Sequence, residues 1–192
     1  PQEIAVRDDR IAIRWLRANA AKYHIDPERI AVWGGSAGGH LVSMLGTSGD
    51  VKDLEGTGGS PDQSSRVSCV VDFCGPSNFL AAQRLEGGRE PSAVTQLLGG
   101  TVEKKKDLAK QASPITYVTK DDPPFLIVHG TKDGTVPLEQ AQMLYDALKK
   151  AGCDATFIKM EGGGHGIRGP EVIERVNAFL EKHLRGKEVN VS

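Results

Sequence analysis

The stretch WGGSAGGH, residues 33–40, lies between an apolar run at residues 30–32 and a second apolar run at 41–45. This order predicts a strand, a tight turn and a helix, with Ser36 at the apex of a G-x-S-x-G turn. There the serine hydroxyl would project at the amino end of the helix, where backbone N–H groups and the helix dipole favour a developing negative charge. The stretch predicts a nucleophile for acyl transfer. The alternative is a glycine-rich turn that only packs closely or binds a phosphate.

The composition is that of one ordinary globular domain. Of the 192 residues, 39% are hydrophobic and 26% are charged, a balance that allows a buried core. A net charge of -1 gives no electrostatic reason to expect nucleic acid or an anionic membrane as a partner. No apolar run has the length of a membrane span. We therefore expect a single domain over residues 1–192, with neither kind of partner.

Cysteine and histidine spacing gives no sign of a disulfide framework or a metal centre. The cysteines, Cys69, Cys74 and Cys153, are odd in number and lie in or beside strand-like segments. Buried free thiols are therefore favoured over disulfides. No pair of His, Cys, Asp or Glu has the spacing of a structural zinc site, so we predict no metal.

Strands and helices alternate along the chain. A first amphipathic helix is predicted over residues 2–23, with Ile4, Ile11 and Trp15 on its buried stripe and charged residues such as Arg14 on the remaining surface. Further strands are predicted at 30–33, 67–73, 125–128 and 155–160, and further helices at 138–151 and 170–185. The alternation predicts an α/β fold, a three-layer sandwich in which helices cover both faces of a mostly parallel sheet.

Two irregular segments interrupt this pattern. Residues 46–65 are rich in Gly, Ser, Thr and Asp and predict an exposed loop whose acidic residues are solvated. Residues 77–122 predict short helices covering a cleft, a cap-like excursion that would supply much of a substrate pocket.

Three reactive side chains, Ser36, Asp133 and His165, each follow a predicted strand. Loops that leave the carboxyl ends of parallel strands meet at one edge of the sheet, so these side chains are expected to converge. A serine hydroxyl becomes nucleophilic when an imidazole takes its proton, and a carboxylate stabilises the imidazolium. The sequence thus predicts a catalytic triad of nucleophile, acid and base.

Alternative roles exist for several of these residues. Asp133 lies in an ordinary turn sequence, and Asp72, which also ends a strand, is a rival for the acid. The other histidines are predicted to have structural or surface positions. We expect His129 to make a hydrogen bond near the acid loop, His40 to point inward, and His24 and His183 to lie on helix surfaces.

Three motifs carry a resemblance to a known family: GGSAGGH at 34–40, HGTKDGTVP at 129–137 and GHG at 164–166. With these motifs in the order Ser, Asp, His, essentially the whole chain resembles the α/β-hydrolase esterases, particularly the acetylxylan-esterase-like and feruloyl-esterase-like branch near the hormone-sensitive-lipase-like carboxylesterases. The resemblance implies the C-terminal part of an α/β-hydrolase fold. It also implies hydrolysis of a small-molecule ester with a short acyl group, such as an acetyl or feruloyl group of plant polysaccharides. The reaction would pass through an acyl-Ser36 intermediate without a cofactor.

The resemblance implies an upstream part as well. In that family an H-G-G-type loop completes the oxyanion hole beside the N–H of the residue after the nucleophile, here Ala37. No H-G-G segment precedes Ser36 in this sequence. We therefore expect an N-terminally truncated hydrolase domain. Its strand at Ile30 to Trp33 would then be an apolar edge that pairs with a second copy, as a homodimer, or with the missing N-terminal fragment.

Two other functions fit the same residues. A prolyl-oligopeptidase-like serine peptidase resembles this chain in motifs and in their order. An inactive fragment that lacks its oxyanion loop is the second alternative.

Overall fold

The computed structural model describes residues 2–49, 51–84 and 92–191. The helices and strands in these ranges are α1 (Gln2–Ala18), α2 (Ala20–Tyr23), β1 (Ala31–Gly35), α3 (Ala37–Thr47), β2 (Cys69–Phe73), α4 (Ser92–Leu98), α5 (Lys106–Gln111), β3 (Phe125–Gly130), α6 (Leu138–Ala151), β4 (Ala155–Met160) and α7 (Pro170–Arg185). Short 3-10 helices occupy Lys52–Leu54, Phe79–Arg84 and Pro114–Tyr117.

The four strands form one parallel sheet in the order β1-β2-β3-β4, which is also their order along the chain. Along β3, Phe125 and Ile127 pack toward α6, and Leu126 and Val128 pack toward α7. All four side chains are fully buried, and burial of each contributes about 1.5–3 kcal/mol. Because both faces of β3 are covered, its sequence is continuously apolar rather than alternating. The predicted α/β sandwich with a parallel sheet is confirmed.

The first helix differs from its prediction. It ends at Ala18, and its buried face carries Arg14, which is 2% exposed, whereas Trp15 is 44% exposed. The side chain of Ile4 lies outside the described part of the chain. The predicted stripe was therefore wrong, because an apolar pattern cannot show that a buried arginine has an ion-pair partner elsewhere.

That partner is Glu55, in the segment predicted to be an exposed loop. Its carboxylate oxygens accept hydrogen bonds from Arg10 at 2.7 Å and from Arg14 at 2.6 Å. Arg10 also donates to Ser48 and Ser65, and Arg14 to the carbonyl oxygen of Gly58. The expectation that the acidic residues of 46–65 are solvated was wrong for Glu55. Its ion pairs with Arg10 and Arg14 connect this loop to α1.

The segment 77–122 has a small core of its own. Its buried apolar side chains are Phe79, Val94, Leu98, Val102, Ala109 and Ala112. The ring of His40 connects this core to α3, because its Nε2–H donates to the carbonyl oxygen of Ala112 at 2.7 Å and the ring lies 5.0 Å from that of Phe79. Part of the segment, residues 85–91, lies outside the described residues. Its role as a cap stays a prediction.

Strand β1 forms one edge of the described sheet, and Trp33 on it is 51% exposed and stacks on Phe73 at 5.6 Å. Pairing of this edge with a second copy or an N-terminal fragment stays a prediction. The cysteines are buried and free, as expected. Among the described helices, none combines the length and the apolar composition needed to cross a bilayer.

Candidate active site

The turn at Ser36 is a strained link between β1 and α3. Ser36 has φ 56° and ψ −120°, a region that a serine rarely adopts. Its backbone N–H donates to the carbonyl oxygen of Phe73 at 2.8 Å, which ties the turn to β2. A Cβ atom on Gly34 would lie 2.2 Å from the carbonyl oxygen of Gly38, so only glycine fits at the start of this turn. These contacts hold the Ser36 side chain beyond the carboxyl end of the sheet.

The predicted nucleophile and base are in hydrogen-bond contact. The Oγ of Ser36 lies 2.8 Å from Nε2 of His165, and Nδ1 of His165 lies 2.8 Å from Oδ2 of Asp133. A carboxylate can only accept, so Nδ1 carries the ring proton, and Nε2 is then free to accept the hydroxyl proton of Ser36. The three side chains form one continuous line of hydrogen bonds.

The carboxylate of Asp133 is buried and held from two sides. Its Oδ1 accepts backbone N–H groups of Thr135 at 2.8 Å and Val136 at 2.9 Å. Burial alone would raise the pKa of Asp133, but the hydrogen bonds from His165, Val136 and Thr135 outweigh it and lower the pKa below its usual value of 3.8. The side chain of Asp133 is therefore an ionised carboxylate beside the imidazole of His165.

The structure separates the rival acid from this line of hydrogen bonds. Asp72 is buried beneath α3, where it accepts the hydroxyl of Ser43 and the backbone N–H of Gly75, each at 2.9 Å. Burial raises the pKa of Asp72 to about 6, against the effect of both hydrogen bonds. Its position gives Asp72 a structural contact with the helix behind Ser36, and no hydrogen bond to His165.

The other histidines fall near their expected places, with one addition. His40 points inward, and His24 is exposed at the end of α2. His183 is more covered than expected, because its ring packs 4.5 Å from Phe179. His129 makes the expected hydrogen bond near the acid loop, to the carbonyl oxygen of Val136, but its Nε2 also lies 3.2 Å from Oδ2 of Asp133. The four-residue spacing of His129 and Asp133 was the only sequence sign of that contact.

Ala37, the predicted oxyanion donor, is the first residue of α3. A backbone N–H at this position has no acceptor inside its own helix. It lies next to Ser36 at the positive end of the helix dipole, which is the position predicted for the oxyanion donor.

A cavity of about 530 Å³ opens beside Ser36 and His165. Its size is within the usual range of small-molecule sites. It is lined by Ile167, by Arg168 and by apolar side chains of β1, β2 and α7. These apolar side chains are Trp33, Phe73, Val172 and Ile173. The described lining of this cavity contains none of the residues 77–122, so the expectation that they supply much of a substrate pocket stays a prediction.

In the described part of the chain, Cys74, His129 and Asp133 bring possible ligand atoms within 4.8 Å of one another. They do not fit a cation well. Burial raises the pKa of the Cys74 thiol to about 12, so it is protonated, and the oxygens of Asp133 already accept N–H groups. The prediction of no metal is not tested by this arrangement.

Comparison with known proteins adds independent information. The family model BD-FAE matches residues 3–148. Esterase LipC of Mycobacterium tuberculosis is 32% identical over 165 residues, which cover 84% of this chain and 40% of that protein. This chain therefore spans less than half the length of that relative.

Solved structures are similar over a larger share of both chains. One, described as a truncated form of carbohydrate esterase from gut microbiota, has a TM-score of 0.87 at 34% identity and covers 94% of this chain and 68% of that chain. Butyrate-bound Est2, a thermophilic esterase from the Planctomycetes species Thermogutta terrifontis, has a TM-score of 0.74 at 31% identity, covering 95% of this chain and 67% of that chain.

Proposed function

The chain belongs to the BD-FAE family of α/β-hydrolase esterases, and on that premise we propose that it is a serine carboxylic-ester hydrolase whose triad is Ser36, Asp133 and His165. The observation that carries the proposal is the unbroken line of hydrogen bonds from Ser36 through His165 to Asp133, with 2.8 Å at each step. The strained backbone at Ser36 also supports the proposal, because strain of this kind is found at functional sites more than in turns that only pack.

Acylation follows from this geometry. The Oγ of Ser36 attacks the ester carbonyl carbon while Nε2 of His165 takes its proton, and the Asp133 carboxylate stabilises the imidazolium. The carbonyl oxygen becomes an oxyanion beside the N–H of Ala37. When the tetrahedral species collapses, the ester C–O bond breaks, and Nε2 returns the proton to the leaving alkoxide. An alcohol is released, and the acyl group stays on Ser36.

Deacylation repeats these steps with water. Nε2 of His165 takes a proton from a water molecule, whose oxygen attacks the acyl-Ser36 carbonyl. Collapse breaks the bond to Oγ, and the imidazolium returns its proton to Ser36. The products are a carboxylic acid and the restored enzyme, so the cycle needs no cofactor.

We propose esters of short acyl groups as substrates, with acetyl and feruloyl groups of plant polysaccharides as the first to examine. The apolar walls of the cavity suit an acyl chain or a planar ring, and Trp33 and Phe73 offer stacked aromatic surface beside Ser36. The similarity to a carbohydrate esterase favours an alcohol that is part of a sugar chain.

A fluorophosphonate probe tests the triad. Folded protein should become labelled at Ser36, labelling should vanish in Ser36→Ala, and it should fall strongly in His165→Ala. Urea-unfolded protein is the control and should not react. Absence of labelling in protein with a native circular dichroism spectrum would overturn the proposal in favour of an inactive fragment.

Paired substrates test the reaction class. We expect kcat/KM for p-nitrophenyl acetate and methyl ferulate to exceed that for aminoacyl p-nitroanilides by more than tenfold. The reverse preference would assign the site to a prolyl-oligopeptidase-like peptidase. Release of acetate from acetylated xylan, compared with release of ferulate from feruloylated xylan, then separates the two proposed acyl groups.

A further inference from the structure

His129 is a fully buried ring at the end of β3 whose hydrogen-bonding state can be deduced. Its Nε2 lies 2.8 Å from the carbonyl oxygen of Val136 and 3.2 Å from Oδ2 of Asp133. Both neighbours are acceptors, so Nε2 carries the hydrogen. Burial is the main cause that lowers the pKa of His129, so the ring is neutral and Nδ1 has no proton.

We propose that His129 is a positioning residue for the hydrolytic reaction: its Nε2–H, donated to the carbonyl oxygen of Val136 and lying close to Oδ2 of Asp133, holds the Asp133 carboxylate in the orientation that His165 requires. This inference rests on the proposed function of Ser36, Asp133 and His165. His129 does not reach Ser36 or its substrate; it acts through Asp133.

Several hydrogen-bond donors surround the carboxylate of Asp133. Backbone N–H groups of Thr135 and Val136 occupy Oδ1, and Nδ1–H of His165 donates to Oδ2. Nε2 of His129 lies 3.2 Å from Oδ2, while its hydrogen is donated to the carbonyl oxygen of Val136. The donors at both oxygens and the His129 ring beside Oδ2 oppose rotation of the carboxylate, so Oδ2 stays directed at His165.

Val136 links His129 to Asp133. This residue donates its N–H to Oδ1 of Asp133 and accepts the Nε2–H of His129 on its carbonyl oxygen. His129 thereby fixes the turn 133–136 and its carboxylate to the end of a buried central strand. A turn in solvent would not hold the acid to within a few tenths of an ångström.

The other ring nitrogen of His129 also favours this role. Nδ1 of His129 is buried without a hydrogen-bond partner in the described part of the chain. A buried polar atom without a partner is unfavourable, and an apolar side chain of similar size would fill this space without that cost. The hydrogen bond that Nε2–H makes is therefore what a histidine provides at this position.

The electrostatic consequence can be measured. The titratable groups facing His129 are Asp133 and His165 from the two loops and Cys74 from the end of β2, whose thiol is protonated because burial raises its pKa to about 12. The carboxylate of Asp133, whose pKa is lowered by its hydrogen bonds, carries a negative charge. Without the Nε2–H, its negative charge would be less dispersed and would bind the imidazolium form of His165 more strongly. The acid limb of kcat/KM would then move to higher pH.

Substitutions of graded reach test the proposal. Glutamine can place an N–H near the position of Nε2, asparagine is too short to do so, and leucine fills the space without a donor. We expect kcat for p-nitrophenyl acetate, normalised to the fraction of sites labelled by the fluorophosphonate, to fall more than tenfold in His129→Leu and His129→Asn with KM within twofold. Their acid limbs should shift upward, and His129→Gln should restore most of both properties.

His40→Gln and His40→Asn are the matched controls. His40 is also buried and also donates Nε2–H to a backbone carbonyl, that of Ala112, without contact to Asp133. They should lower the melting temperature but leave kcat per labelled site and the acid limb unchanged.

Two results would overturn the inference. One is equal kcat and an unshifted acid limb in His129→Gln and His129→Asn, and the other is the same acid-limb shift in the His40 variants. If His129→Leu does not fold, the comparison of glutamine with asparagine decides alone. Failure of the proposed function is a different outcome, because wild-type protein would then show neither labelling nor ester hydrolysis.

Discussion

A Cβ atom on Gly130 would lie 2.3 Å from the carbonyl oxygen of Gly163. Gly130 ends β3, in front of the loop that carries Asp133, and Gly163 lies in the loop that carries His165. The two loops therefore touch backbone to backbone, and the N–H of Lys132 donates to the same carbonyl oxygen at 2.8 Å. This close approach sets the separation of Asp133 and His165.

Gly130→Ala should reduce kcat for p-nitrophenyl acetate by about a hundredfold, because a methyl group would push the two loops apart and a displacement of about 1 Å in a catalytic geometry has an effect of that size. Gly134→Ala is the control. Gly134 is in the acid loop, its φ is not positive, and a Cβ there meets nothing within 4 Å. Equal kcat values for the two variants would show that the contact does not control the triad.

Ser36→Gly should be more stable than Ser36→Ala, although both are inactive. The backbone at Ser36 is in a region that glycine adopts readily and alanine does not, so we expect a difference of about 1 kcal/mol in the free energy of unfolding by urea. At Lys149, exposed in α6, the order should reverse, because glycine weakens a regular helix by about 1 kcal/mol relative to alanine. The same order at both positions would contradict the strain at Ser36.

Asp72 should make stability fall as pH rises from about 4 to about 6. Burial raises its folded-state pKa from 3.8 to about 6, so the folded protein holds this proton more tightly than the unfolded chain does. The resulting contribution is present below pH 4, is lost through this window, and amounts to roughly 3 kcal/mol.

Urea unfolding of wild type and Asp72→Asn at intervals from pH 4 to pH 7 measures this contribution. The stability of Asp72→Asn relative to wild type should increase with pH through the window and level off above it. Subtraction of the two curves removes the other carboxylates. A difference that is independent of pH would show that Asp72 titrates normally.

Glu55→Gln should destabilise the fold by about 3 kcal/mol, because two buried guanidinium groups would lose their counter-charge. Glu171→Gln removes one member of an exposed i,i+4 pair with Arg175 and should change the free energy of unfolding by less than about 0.5 kcal/mol. Thermal and urea unfolding of both variants measure the two effects. Similar losses in the two variants would mean that the Arg10–Arg14–Glu55 cluster is no stronger than a surface pair.

The parts of the fold that could be predicted are those with local signals. The bounds of α6, β4 and α7 match their predictions, since each has a clear period and a Gly or Pro at its ends. The convergence of Ser36, Asp133 and His165 could be predicted because loops that follow parallel strands lie at the same edge of the sheet.

What could not be predicted depends on distant partners. The buried face of α1 is decided by Glu55, more than forty residues farther along the chain, and no local pattern reports such an ion pair. The same holds for the cavity beside Ser36, because Ile167 and Arg168 line it together with Trp33, which lies far away along the chain.

The order of the sheet has a consequence for when function begins. Ser36 follows β1 at one edge, whereas His165 follows β4 at the other, and the two residues are 129 positions apart along the chain. During synthesis Ser36 leaves the ribosome long before His165, and on the proposed function its hydroxyl becomes nucleophilic only when β4 has docked. Labelling of Ser36 by a fluorophosphonate should therefore report the docking of β4. During refolding, it should appear only after the helical signal of the chain has been regained.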